Sequence, residues 1–317
     1  MKHIKTAFLL VVFSFCLYTV KAQFGFASWK DVGSIIRTKT YFVLHDSDEI
    51  FNRYITIAAK EHWNFTKYEC IHFRELNKYS GDTSNTFIIA SGFYANSMSK
   101  YQVVNYTFYN GKRDYMKIHY YDKSTAGYTY GVEALTLVRG GKEFNKDNKK
   151  WLAFCYLGYE ANAVSSAKLI CYVQTIQNTL QLIRDHKLSR LYLEEADKLY
   201  SNAYSMVKDT LIMDESDIPS KNQFGADNPR FRGKEEMQKL YTLPFVIVGT
   251  SEIEKYVLDN THPHIFLGSY YEGTNNRYFL YTNAGKILAM FDLGRGEEHT
   301  DLFKWQIKRL CKKVGTQ

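Results

Sequence analysis

Four short blocks recur in the same order along this chain, and the recurrence restricts its fold more than any other feature. "KTYFVLHDSDEI" from Lys39 is echoed by "KDTLIMDESDI" from Lys208. "HWNFTKYECIHFREL" from His62 is echoed by "LYTLPFVIVGTSEI" from Leu240, with Trp63 matching Tyr241, Phe65 matching Leu243, and Glu75 matching Glu252 after a one-residue gap. "SNTFIIASGFY" from Ser84 returns as "HPHIFLGSYYE" from His262, and "YTFYNGKRDYMKI" from Tyr106 as "YFLYTNAGKILAMF" from Tyr278. Each match is short. The conserved order is what points to an internal repeat.

Both halves then read alike. A strand-length apolar run opens each unit, at residues 41–45 and 210–213. A helix follows over 49–62, with Phe51, Tyr54, Ile55 and Ala58 on one face. Its counterpart is cut short by Pro219, Gly225 and Pro229 and is expected only from about 233 to 241. Second strands fall at 68–73 and 245–248, and third strands at 86–90 and 265–268. Ser251 and Glu254 have the spacing of a capping box between the last two.

Strands separated by helices predict parallel pairing through right-handed crossovers. The dipeptide Asn110-Gly111 and the tripeptide Asn283-Ala284-Gly285 predict antiparallel hairpins at the sheet edges. Closing helices are expected at 162–184 and, behind Thr300, at 301–312. The segment 128–158 reads as helical. The expected fold is α/β: two pseudo-repeated β-α-β-α-β units, with mainly parallel sheets, each extended by a hairpin and closed by a helix.

The N-terminus reads as an export leader. Lys2 and Lys5 precede an apolar run over 7–17, and Val20-Lys21-Ala22 is a small-residue cleavage site. That run is too short for a membrane span, and no later stretch has the unbroken apolar length to cross a bilayer. The expected division is a leader over 1–22, a first unit over 23–187 and a second over 188–317. The layout, with the Lys21-Ala22-Gln23 leader end, resembles exported bacterial proteins of uncharacterised role built from two tandem α/β units. The resemblance implies the fold and a periplasmic or secreted location, and it carries over no catalytic residue.

Charge excludes little. The formal excess of +8 loses Lys2, Lys5 and Lys21 and no acid with the leader, leaving 38 Lys and Arg against 33 acids, or +5. No basic stripe or RNA-type aromatic motif accompanies it, so nucleic acid is not an expected partner. Cys70, Cys155, Cys171 and Cys311 sit at irregular spacings among apolar residues. An exported protein could pair them, but small core residues are the expected role. No Cys-x-x-Cys is present.

Asp46-Ser47-Asp48 is the stretch most like an active site. A strand ending in Asp-x-Asp resembles the opening motif of haloacid-dehalogenase-type phosphatases, in which the first Asp attacks phosphorus and the second is a general acid beside magnesium. Ile50 stands where that motif takes Thr or Val, and no second acid pair follows 86–90. The competing role is structural: Asp46 or Ser47 caps the following helix, and the acids suit its dipole. The blurred copy "MDESDIPS" favours the cap. His262-Pro263-His264 reads as a turn before a strand. No phosphate loop or Gly-x-Ser-x-Gly elbow occurs.

Tyrosines are the positive hint. Tyr120 and Tyr121 cluster after the first hairpin and Tyr270 and Tyr271 at the second, with apolar faces and polar tips suited to sugar or protein contact. Strand packing is their other use. The sequence therefore favours a non-enzymatic exported binding or scaffold protein that presents a Tyr-rich surface, formed by Tyr120, Tyr121, Tyr270 and Tyr271, to a protein or glycan. No cofactor and no metal is expected. The alternative is a metal-dependent, phosphatase-like hydrolase using Asp46 and Asp48.

Overall fold

The computed structural model describes residues 24–26, 29–96, 102–108, 129–142, 144, 151–156, 166–187, 209–215, 238–239, 241, 243–272 and 275–291. The leader, the dipeptide at 110–111, most of the helix expected at 233–241, the helix expected at 301–312, Cys311, Tyr120 and Tyr121 lie outside them.

The chain is an α/β fold with two mixed sheets. The first combines β1 (Phe24–Phe26), β2 (Lys39–Leu44), β3 (Lys67–His72), β4 (Asn85–Asn96), β5 (Gln102–Phe108), β6 (Thr129–Arg139) and β7 (Trp151–Tyr156). Its order is β1-β7-β6-β4-β2-β3, with β5 paired to β4. The second contains β8 (Leu211–Asp214), β9 (Phe245–Val248), β10 (Ile265–Glu272), β11 (Asn275–Thr282) and β12 (Ile287–Phe291), in the order β12-β11-β10-β8-β9.

In each sheet the strand that opens the repeated block lies one place in from an edge and takes a parallel neighbour on both sides. β3 and β4 flank β2, and β9 and β10 flank β8. The remaining pairings are antiparallel. The sheets are therefore mixed rather than mainly parallel. The correction traces to residues 129–139 and 151–156, which form β6 and β7 and not a helix. Ala134, Leu135, Thr136, Leu137 and Val138 are all buried. A strand covered on both faces loses the period-two alternation that would mark it.

Helices α1 (Trp29–Ile35), α2 (Glu49–Ile57) and α4 (Lys168–His186) pack on one face of the first sheet, where Phe42, Ile88, Leu135, Leu137 and Ala153 meet Phe51, Ile55 and Ile176. The other face, with Tyr41, Val43, Phe87, Ile89 and Val138, is covered by α3 (Leu76–Tyr79) and Phe144. The π-helical turn Ala58–His62 extends α2. Its end is held by the buried Gln177 of α4, whose amide nitrogen donates to His62 O and whose Oε1 accepts from the amides of Asn64 and Phe65.

Helix α4, expected to close the first unit, serves both sheets. Its Tyr172 ring lies 5.7 Å from that of Tyr281, and Ile212, Phe266, Phe279 and Ile287 of the second sheet belong to the same core as the first. Short helix α5 (Ile253–Val257) adds a polar tie. Its Glu254 accepts a 2.8 Å hydrogen bond from Tyr54 Oη and pairs with Arg53. Burial, then the Glu254 bond, pushes the Tyr54 phenol up to about 12, so it remains a donor. The Ser251/Glu254 capping box does not form: Glu252 occupies the cap position and makes no capping bond.

Candidate functional site

The next two parallel strands fall on opposite sides of β2 and of β8, so the C-terminal end of each is a topological switch point, the place where open α/β sheets bind ligands. His45 to Asp48 follow β2 at the first. Asn52 fixes the turn there. Its Oδ1 accepts from His45 N, and its Nδ2 donates to His45 O, both at 2.7 Å. The His45 ring is buried and stacks on that of Phe51, with centroids 3.9 Å apart and planes nearly parallel.

The two acids of the Asp-x-Asp stretch face different partners. Asp48, also buried, caps α2: its Oδ1 accepts from Phe51 N at 2.9 Å, and its Oδ2 lies 4.0 Å from His45 Nδ1. Asp46 is on the surface, with Oδ1 3.8 Å from Nδ1 of His72, the last residue of β3. The cap expected from the sequence is present, but Asp48 makes it, not Asp46 or Ser47. Asp48→Ala is expected to cost about 1 kcal/mol in urea unfolding. Asp46→Ala, at an exposed position outside the cap, costs less than about 0.5 kcal/mol. Equal costs would refute the assignment of the cap.

The second switch point holds a constellation that the sequence reading missed. Asp214 ends β8 and is fully buried. Lys168 Nζ, from the first turn of α4 and equally buried, lies 2.9 Å from its Oδ2, and Thr250 Oγ1 donates to its Oδ1 at 2.9 Å. Lys168 opens a run of apolar helix residues and reads as a surface lysine at a helix end. Its placement against a strand of the other sheet has no local signal. Beside it, burial pushes the Cys171 thiol up despite the Lys168 charge, and its Sγ donates to Asn283 O at 3.7 Å. Cys70, Cys155 and Cys171 form no disulfide, and the last two are core residues.

His262-Pro263-His264 forms the turn into β10, organised by Asp259. Its carboxylate accepts from Thr261 N and Oγ1 and lies 2.8 Å from His264 Nε2. The Thr261 hydroxyl first, and then His264, hold that carboxyl below the usual range. Among the described residues no group of three His, Cys, Asp or Glu side chains is placed to hold a metal ion. None of their helices is long and apolar enough to cross a membrane.

Of the four tyrosines singled out, Tyr270 and Tyr271 fall on β10, past the point where it leaves β8. β8 pairs with β10 only as far as Leu267, whereas β11 continues to Glu272, with Tyr270 opposite Arg277 and Tyr271 opposite Asn276. Strand β4 likewise outruns β2 beyond Ile88. Both extensions project from the switch-point end of their sheets. No protein-family model matches this chain, and no curated protein or solved structure does either.

Proposed function

We propose that this is an exported, periplasmic or secreted, non-enzymatic binding or scaffold protein, built from two tandem α/β units over 23–187 and 188–317 that share α4. It resembles exported bacterial proteins of that layout. The tandem reading is supported by the common order of strands around β2 and β8. The binding reading rests on one observation: β10 runs past β8 through Tyr270 and Tyr271, and so carries the Tyr-rich sequence cluster beyond the packed body of the sheet. Tyr120 and Tyr121 belong to the same proposed surface. Partners are a protein or a glycan, because tyrosine offers an apolar face and a polar tip to either.

The capping bond of Asp48 weighs against the phosphatase-like alternative, since the Oδ1 that accepts from Phe51 N is committed to the fold. Purified protein is titrated against a glycan panel and a peptide panel. Binding is expected to fall at least about tenfold in Tyr270→Ala/Tyr271→Ala, with melting unchanged. A magnesium-dependent phosphatase assay runs alongside. Turnover that disappears in Asp46→Asn overturns the non-enzymatic reading.

A further inference from the structure

The outer half of β10 has one paired side and one side along which no strand among the described residues runs. β11 accompanies β10 from Ile265 to Glu272, and β8 leaves it after Leu267. The first sheet has the same branch point with a different outcome. β6 follows β4 from Thr86 to Asn96, so β2, paired up to Ile88, and β5, paired from Ser91 to Asn96, both lie on the opposite side. β5 takes up the edge that β2 vacates. It comes from the long stretch between β4 and β6, whereas only residues 273–274 separate β10 from β11.

The register says which groups of β10 face the vacated side. Asn283 N donates to His264 O, one step before the first β10–β11 pair. In an antiparallel ladder alternate residues turn their amide and carbonyl toward the same neighbour. Phe266, Gly268, Tyr270 and Glu272 therefore turn theirs to β11, and Ile265, Leu267, Ser269 and Tyr271 turn theirs the other way. Ile265 and Leu267 meet β8 there. Ser269 and Tyr271 turn theirs to the side that β8 has left.

We propose that the main chain of Ser269 and Tyr271 anchors an extended segment of a partner protein, added antiparallel to β10 as β5 is added to β4. The proposal rests on the reading of this extension as a binding surface, and it narrows the partner to a polypeptide. Strand addition draws affinity from main-chain hydrogen bonds and specificity from alternate side chains. β5, "QVVNYTF", shows the chemistry that such an edge accepts in the neighbouring sheet: β-branched and aromatic residues among amides, without charge.

The test uses a fluorescently labelled QVVNYTF peptide titrated into the full-length protein and read by anisotropy. Saturable binding is expected. Ser269→Pro, which deletes an outward amide, weakens it about tenfold, and Ser269→Ala leaves it within about twofold of wild type. Proline is tolerated where an edge amide points away from the ladder. If Ser269→Pro fails to fold, wild-type protein is titrated instead with QVVNYTF N-methylated on each alternate set of amides in turn; about tenfold weakening by one set is expected, and weakening by neither overturns strand addition. Equal binding by the proline and alanine variants, or no saturation by about 1 mM peptide, overturns strand addition. Loss of binding in Tyr270→Ala/Tyr271→Ala with Ser269→Pro unaffected also overturns it, and leaves the tyrosine surface standing. Dimerisation that Ser269→Pro abolishes, without peptide binding, overturns the partner and assigns the edge to a second copy.

Discussion

Lys168→Met lowers the free energy of unfolding by about 3–5 kcal/mol, Asp214→Leu does the same, and the variant carrying both returns to within about 2 kcal/mol of wild type. The expectation follows from the burial of both groups beside a 2.9 Å contact. Removing either partner leaves the other charge in a dry environment, which costs several kcal/mol. Removing both eliminates the desolvation penalty with the attraction. The position of Lys168 sharpens the argument. A cation in the first turn of a helix opposes the helix dipole, so nothing local to α4 favours it there. Its counter-charge comes from the end of β8 in the other sheet. The pair fixes the start of α4 against that strand, a role in register more than in net stability. Urea unfolding of the four proteins gives the coupling energy directly. Single variants that each cost below about 1 kcal/mol, or a double variant that costs their sum, would refute this account.

The contrast between what was readable and what was not has a physical basis. β2, β9 and the start of β10 were legible because each is a short apolar run between turn signals, and their bounds, like those of β3, moved by only a residue or two. β6 and β7 were not. Burial on both faces removed the alternation from β6, and the uninterrupted apolar sequence of β7, Trp151 to Tyr156, fits a helix as well as a strand. At the acid stretch, the sequence showed that a cap belonged there but not which residue makes it. Asp46, Ser47 and Asp48 are all capable, and the choice turns on the step at which the chain enters α2. Side chains that act over long sequence separations left no trace. Gln177 and Thr175 read as a polar helix surface, yet both are buried, one against the end of the π turn and the other against the β11–β12 turn. The same holds for Lys168, whereas Asp214 stood in the acid copy that the sequence read as a cap, yet it ends β8 and pairs with Lys168 instead.

Gly285→Ala is expected to destabilise the protein by about 3–5 kcal/mol, from a non-glycine residue forced into left-handed backbone and an overpacked contact that cannot relax. Gly285 has φ +69°, and a Cβ there would lie 2.4 Å from Gln174 Cβ and 2.6 Å from Thr175 N. The second of these is main chain of a buried helix and cannot rotate away. The turn is held on α4 by three carbonyls: Asn283 O accepts from Cys171 Sγ, Ala284 O from Asn178 Nδ2 and Gly285 O from Thr175 Oγ1. Lifting the turn to admit a methyl group stretches all three and opens the core around Tyr172 and Tyr281. Gly81→Ala is the control. Nothing lies within 4 Å of a Cβ there, and its φ is not positive, so stability stays within about 1 kcal/mol of wild type. The shape of the Gly285→Ala transition carries a further consequence. Since α4 belongs to the core of both sheets, circular dichroism and tryptophan fluorescence should lose their signals together. Trp63 sits in the core of the first sheet, and in a Trp305→Phe background the remaining tryptophans all belong to the proposed first unit, so fluorescence reports on that unit. If the fluorescence change lags behind the loss of secondary structure, the second sheet melts alone and the proposed units part near residue 187. Coincident curves make α4 a joint that neither unit can release while the other remains folded.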